Sequence, residues 1–99
     1  MKLLIQAGVL GDVDAIRESM HDAGAAGRFG PAVDATFELL LTHPLIGRIR
    51  SFSTAGLRSF GVLGFNRYLV IYRTRGEDVE ILAVVDGVRA LPSVRKIRE

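Results

Sequence analysis

The chain has no cysteine, which excludes disulfides and thiolate metal sites and suits a reducing cytosol. It has two histidines, His21 and His43, far apart and without acids or a second imidazole at ligand spacing, so no metal site is expected. No apolar run approaches the roughly 20 residues that cross a bilayer, and no membrane association is expected. The apolar opening Met1–Asp12 is interrupted by Gln6 and Gly8 and runs straight into an amphipathic pattern, which argues against a signal peptide. Gly61-x-x-Gly64 is not a phosphate loop, because no helix start follows it, and Gly8-x-x-Gly11 lacks the lysine and the longer glycine pattern. No Ser-His-Asp constellation, internal repeat or linker is visible.

A local absence is more informative. Between Leu39 and Gly76 there is no acid, yet Arg48, Arg50, Arg58, Arg67, Arg73 and Arg75 all lie there. The net charge is only +2, so this is a matter of distribution: residues 51–99 carry eight Lys/Arg against five Asp/Glu, residues 1–50 five against six. Six cations without a local acid set up a positive field over one side of a small domain. They are either solvated arginines whose acidic partners lie on the helices, or a docking surface for an acidic segment or a nucleic-acid-bound target.

What is present reads as one domain, residues 1–99, with 93–99 a basic tail. At 99 residues and 48% apolar composition the chain supports a single core and is not disordered. Residues 2–6 suit a short first strand. Val9, Val13, Ile16 and Met20 then fall on one helical face, with Asp12, Asp14, Arg17, Glu18 and Asp22 on the other, and Gly24 is the expected stop. Phe29, Val33, Phe37 and Leu40 mark a second helix that starts late enough to place Pro31 in its first turn and ends at His43-Pro44. A short link makes the two helices an antiparallel hairpin.

Residues 45–56 show no period and read as a connecting loop with two glycines and room for a helical turn. Three strands follow: Leu57 to Leu63, Arg67 to Arg73 and Val79 to Val85, with turns at Gly64-Phe65-Asn66 and Arg75-Gly76-Glu77-Asp78. In the last strand Val79, Ile81, Ala83 and Val85 should point one way and Glu80, Leu82, Val84 and Asp86 the other. The expected fold class is α+β: an N-terminal strand and an antiparallel helix hairpin packed on a small, mainly antiparallel sheet. Val13, Ile16, Phe37 and Leu40 should pack on Leu69 and Ile71 or on their alternates.

Arg58, Arg67, Tyr68, Tyr72 and Arg73 are the side chains that stand out. Tyr68 and Tyr72 share a face of the central strand, Arg67 and Arg73 bracket it, and Arg58 lies on its neighbour. Tyr and Arg together suit protein interfaces, and they also suit RNA through stacking and phosphate contact. The structural alternative is that both tyrosines pack against the helices with hydroxyls at the rim.

Several segments, in order, resemble one family. They are Asp12-Val13-Asp14-Ala15-Ile16, Leu39 to Arg48 with its His43-Pro44 and Gly47-Arg48, Gly56-Leu57-Arg58-Ser59-Phe60, Gly64 to Arg73, and Val79-Glu80-Ile81-Leu82. Together they are similar to ParE-type toxins of the RelE/ParE toxin–antitoxin superfamily. The final strand departs from the family pattern, with Ala83 for an arginine, Asp86 for a histidine and Ala90 for an aspartate, while Gly87 and Arg89 are kept.

The resemblance implies a cytoplasmic toxin without a cofactor, in a hetero-oligomeric complex with a ParD-like antitoxin whose acidic amphipathic C-terminal tail neutralises it. The implied action is poisoning of DNA gyrase by binding, with no catalysis. The antitoxin surface is expected at Arg58, Arg67, Tyr68, Tyr72 and Arg73, and the gyrase-facing surface at Arg89, Arg95, Lys96 and Arg98. A ribosome-dependent mRNA interferase of the RelE kind is the alternative. It needs transition-state cations and a proton-transfer group. Ala83 removes one cation, no lysine lies between Lys2 and Lys96, and no Tyr or His follows Tyr72. A degenerate, non-toxic antitoxin-binding protein is a third reading.

Overall fold

The computed structural model describes residues 1–50 and 56–88. The elements are β1 (Leu3–Ile5), α1 (Val9–Ser19), α2 (Ala23–Thr42), β2 (Arg48–Ile49), β3 (Arg58–Val62), β4 (Phe65–Arg75) and β5 (Asp78–Asp86). The five strands form one sheet in the order β1-β5-β4-β3-β2. β1 runs parallel to β5, and every other neighbouring pair is antiparallel. This is the expected α+β arrangement.

The helix hairpin forms with different boundaries from those the periodicity suggested. α1 ends at Ser19, and Met20 turns the chain into an extended conformation. Gly24 does not stop it. Asp22 instead caps α2, its Oδ1 accepting from the N–H groups of Gly24 at 2.8 Å and Ala25 at 3.1 Å. Such a cap is worth about 1 kcal/mol. Pro31 is inside α2, not in its first turn. It removes one backbone bond at an exposed position, a cost of about 3 kcal/mol or more. Burial on both sides of it, by Phe29 before and Val33, Thr36, Phe37 and Leu40 after, offsets that and carries the helix through. Thr36 adds a tether: its hydroxyl donates to the Ala32 carbonyl and accepts the Leu63 N–H from the β3–β4 turn.

The main core joins the hairpin to one sheet face. Val9, Val13, Phe29, Val33, Phe37 and Leu40 meet Val62, Val70, Tyr72, Val79, Ile81 and Val84, and Ile16 packs at the margin. Phe29 sets the geometry with edge-on contacts to Phe65 at 5.2 Å and Tyr68 at 5.4 Å. From β4 it is Val70 and Tyr72 that face the helices. Ile71 belongs to a second buried cluster with Leu57, Leu82, Ala83 and Val85, and Leu69 packs against it.

The simple alternation expected for β5 fails at one residue. Tyr72 pairs with Ile81 but Ile71 pairs with Ala83, so Leu82 is an extra residue in β5. This bulge reverses the phase of the strand. Val79 and Ile81 face the helices before it and Val84 after it, while Ala83 and Val85 join the second cluster. β1 is paired only as far as Ile81, and beyond it Asp12 Oδ2 accepts the Val84 N–H at 3.1 Å, which ties α1 to the strand.

Candidate functional site

The arginines singled out above divide into two groups. The first sits over β4 and β5. Arg73 lies directly across from Glu80 in the β4–β5 register, and its Nε donates to Glu80 Oε1 at 2.8 Å. Arg75 approaches the same oxygen at 3.7 Å, and Gln6 Nε2 donates to the other at 3.0 Å. Glu80 is thereby held ionised with its carboxyl below the usual range, first by the Gln6 hydrogen bond and then by Arg73. Arg67 makes a forked contact with Asp86, Nε at 3.1 Å to each oxygen and Nη2 at 2.7 Å to Oδ2. That hydrogen bonding, followed by Asp86's charge, raises the Arg67 pKa, and the guanidinium lies 5.9 Å from the Tyr68 ring centroid.

The expectation of six cations without a compensating acid is therefore corrected for three of them. Their partners come from β5, not from the helices, because the hairpin register lays Glu80 and Asp86 beside β4.

The second group lies at the β2–β3 edge. Arg48, Arg50 and Arg58 make no ion pair among the described residues. Arg50 Nε donates to Ser59 Oγ at 2.6 Å. Arg58 Nη1 donates to the carbonyls of Gly47 at 2.8 Å and Leu45 at 3.3 Å. These bonds place Arg50 and Arg58 without compensating their charge among the described residues.

Tyr68 and Tyr72 share the helix-facing side of β4, as their spacing implies, and take different roles there. Tyr68 is half-buried against Phe29. Tyr72 is fully buried, so it offers no contact surface of its own, and its hydroxyl is not at the rim. That hydroxyl donates to the Pro44 carbonyl and accepts the Gly47 N–H, both at 2.8 Å. Burial pushes its pKa up, opposed by the Gly47 hydrogen bond and by Arg58. A Cβ at residue 47 would collide with the Tyr72 ring and hydroxyl, so only glycine fits there. The spacing of Pro44 and Gly47 thus has a physical cause: one tyrosine hydroxyl pins both residues.

The segment read from sequence as a featureless loop carries what that reading missed. It contains β2, paired to β3 through Arg48↔Ser59 and Ile49↔Arg58. It also exposes Leu45, Ile46 and Ile49. Apolar residues interleaved with arginines in an aperiodic stretch were the available signal. Arg89, Arg95, Lys96 and Arg98 lie outside the described residues, as do Ala90 and residues 51–55. Ala83 is buried at the bulge. Among the described residues no group of three His, Asp or Glu side chains is disposed to hold a metal ion. No helix among them is long and apolar enough to cross a membrane.

Comparison with known proteins finds a family and a relative. The family described as "ParE toxin of type II toxin-antitoxin system, parDE" matches residues 3–91. Toxin ParE3 of Caulobacter vibrioides is 42% identical over 55 residues, which is 56% of this chain and 52% of that protein's length, so the alignment spans about half of the relative. The family match runs from β1 through the end of β5 and covers the strands, the hairpin and the pinned Pro44–Gly47 segment alike: the chain belongs to the ParE toxin family of type II toxin–antitoxin systems.

Proposed function

We propose that this chain inhibits growth by binding and poisoning DNA gyrase in the cytoplasm, and that a ParD-like antitoxin with an acidic, amphipathic C-terminal tail neutralises it. The observation that supports binding over RNA cleavage is that the tyrosine beside the uncompensated Arg58 is itself committed to hydrogen bonds, while two of the other arginines are paired. An RNA-cleaving site needs a free cation beside a proton-transfer group. Arg67 and Arg73 are paired to carboxylates. The Tyr72 hydroxyl is buried, doubly hydrogen-bonded and shifted away from ionisation at neutral pH. His21 and His43 are exposed, with His43 Nδ1 3.0 Å from the Thr42 hydroxyl.

On this reading Arg58, Arg67, Tyr68 and the outer part of Arg73 belong to the antitoxin side, and Tyr72 acts by holding the segment next to it. Arg89, Arg95, Lys96 and Arg98 are assigned to gyrase. Purified, antitoxin-free protein should inhibit gyrase supercoiling, accumulate cleaved DNA–gyrase complexes and leave ribosome-bound mRNA intact. Deleting residues 93–99 should abolish inhibition while antitoxin binding survives. Codon-specific mRNA cleavage by the intact protein would overturn the gyrase reading. Inactivity in both assays with tight antitoxin binding would identify a degenerate toxin.

A further inference from the structure

Leu45, Ile46 and Ile49 are 67%, 46% and 61% exposed, three large apolar side chains within five residues. A shallow hollow of about 360 Å³ opens beside them, lined by His43, Pro44, Leu45 and Ile46. An apolar segment free to move would fold inward, but this one is fixed from beneath. Tyr72 bonds the Pro44 carbonyl and the Gly47 N–H, and Arg58 bonds the Leu45 and Gly47 carbonyls. The strand registers place Ile49 opposite Arg58 and Arg58 opposite Tyr72, so all three share one face of the sheet edge. A surface held in one shape loses little entropy when a partner docks on it.

Charge selects the partner. Arg58 shares the face of Ile49, while Arg48 and Arg50 flank Ile49 along the edge strand on the Ser59 face, and none of the three meets a carboxylate among the described residues. A second copy of this chain, meeting the ridge about a two-fold axis, would set these cations against themselves. β2 has two residues, too few for backbone pairing alone to hold an added strand, so side chains must carry recognition.

We propose that Pro44–Arg50 is a pre-set docking ridge for an acidic peptide segment bearing two or three apolar anchors, with Tyr72 and Arg58 as its positioning residues. This rests on the reading of the chain as an antitoxin-neutralised toxin and says where on the toxin the antitoxin's tail lies.

The test uses the polypeptide encoded by the adjoining reading frame as probe, titrated calorimetrically into the full-length chain at low and high salt. The double variant Leu45→Ser/Ile49→Ser changes only exposed side chains, and its melting curve should match that of the parent. It should bind at least tenfold more weakly. Arg48→Glu should weaken binding and flatten its salt dependence. Tyr72→Phe, which leaves the ridge chemistry intact and frees its backbone, should show an intermediate loss. Leu10→Ser on α1, equally exposed, should bind as the parent does. A double variant within twofold of the parent overturns the ridge while the antitoxin reading stands. A parent chain that does not bind the probe at all overturns that reading and the ridge with it. A dimer of the chain alone that the double variant dissociates makes a second copy the occupant and overturns the proposal.

Discussion

The two arginine groups occupy the same sheet and differ in what they face. Over β4 and β5, Arg67, Arg73 and Arg75 meet Asp86 and Glu80, so their charge is spent within the fold. At the β2–β3 edge, Arg50 meets a hydroxyl and Arg58 two carbonyls, and together with the exposed Arg48 they find no carboxylate among the described residues. The difference teaches that a run of arginines does not identify a docking surface until each cation's partner is known. Cations paired inside the fold are structural first, whereas cations held in place by neutral acceptors are pre-set for an outside anion.

Five variants break or sharpen this contrast, from the largest expected effect down. Phe37→Ala, in the core between the hairpin and the sheet, should cost about 3–5 kcal/mol in denaturant melts and unfold most molecules of so small a domain. A loss under about 1 kcal/mol would remove Phe37 from the core. Glu80→Ala should cost about 1–3 kcal/mol, because Arg73 and Gln6 lose their acceptor at a nearly buried site. A neutral result would make the paired group as dispensable as the unpaired one.

The same carboxylate gives a pH signature. Unfolded, Glu80 titrates near the ordinary 4.5, and folded it titrates lower. Its stabilisation is complete above that ordinary value and is lost as pH falls toward the folded pKa. Glu80→Gln should therefore flatten the acid limb of the stability curve, and an unchanged limb would deny the linkage. Tyr72→Phe should cost about 1–2 kcal/mol at neutral pH through two lost hydrogen bonds. Tyr72 ionises near 10.0 when unfolded and higher when folded, so its contribution falls as pH rises past 10.0. The Phe variant should lose that alkaline slope. Last and smallest, Arg48→Ala should change stability by less than about 0.5 kcal/mol, as expected of an exposed side chain without an ion-pair partner among the described residues. A larger loss would mean the edge group is structural too.

Much of the fold was legible in the sequence, because period and turn chemistry are local. The Val9–Val13–Ile16–Met20 stripe and the Gly76 turn both match their elements, and Gly76 has the positive φ of 63° that such a turn needs. Counting back from that turn also reaches Arg73↔Glu80, so this pair is within reach of the sequence. The Leu82 bulge was not legible. Nothing in a run of Ile81, Leu82, Ala83, Val84 and Val85 marks which residue is the extra one, and past it an unbroken count gives the wrong partners. The Tyr72–Gly47 contact was also hidden, since it joins residues 25 apart through a side chain whose spacing fits a rim position equally well. Pro31 misled for another reason: its local cost was readable, but the packing that overrides it was not.

The parallel pairing of β1 with β5 has a consequence for how the protein is made. Leu3 waits for Val79, and at roughly 5–20 residues per second of synthesis that delay is on the order of 4–15 s. During it the helix hairpin emerges with its apolar stripe uncovered, and the central strands have no first or last neighbour. Long-range closure of this kind makes folding slow relative to a local hairpin. Translation order thus leaves the sheet of the nascent chain unclosed until β5 has left the ribosome, and a partner already present at that moment meets the domain as its sheet first closes.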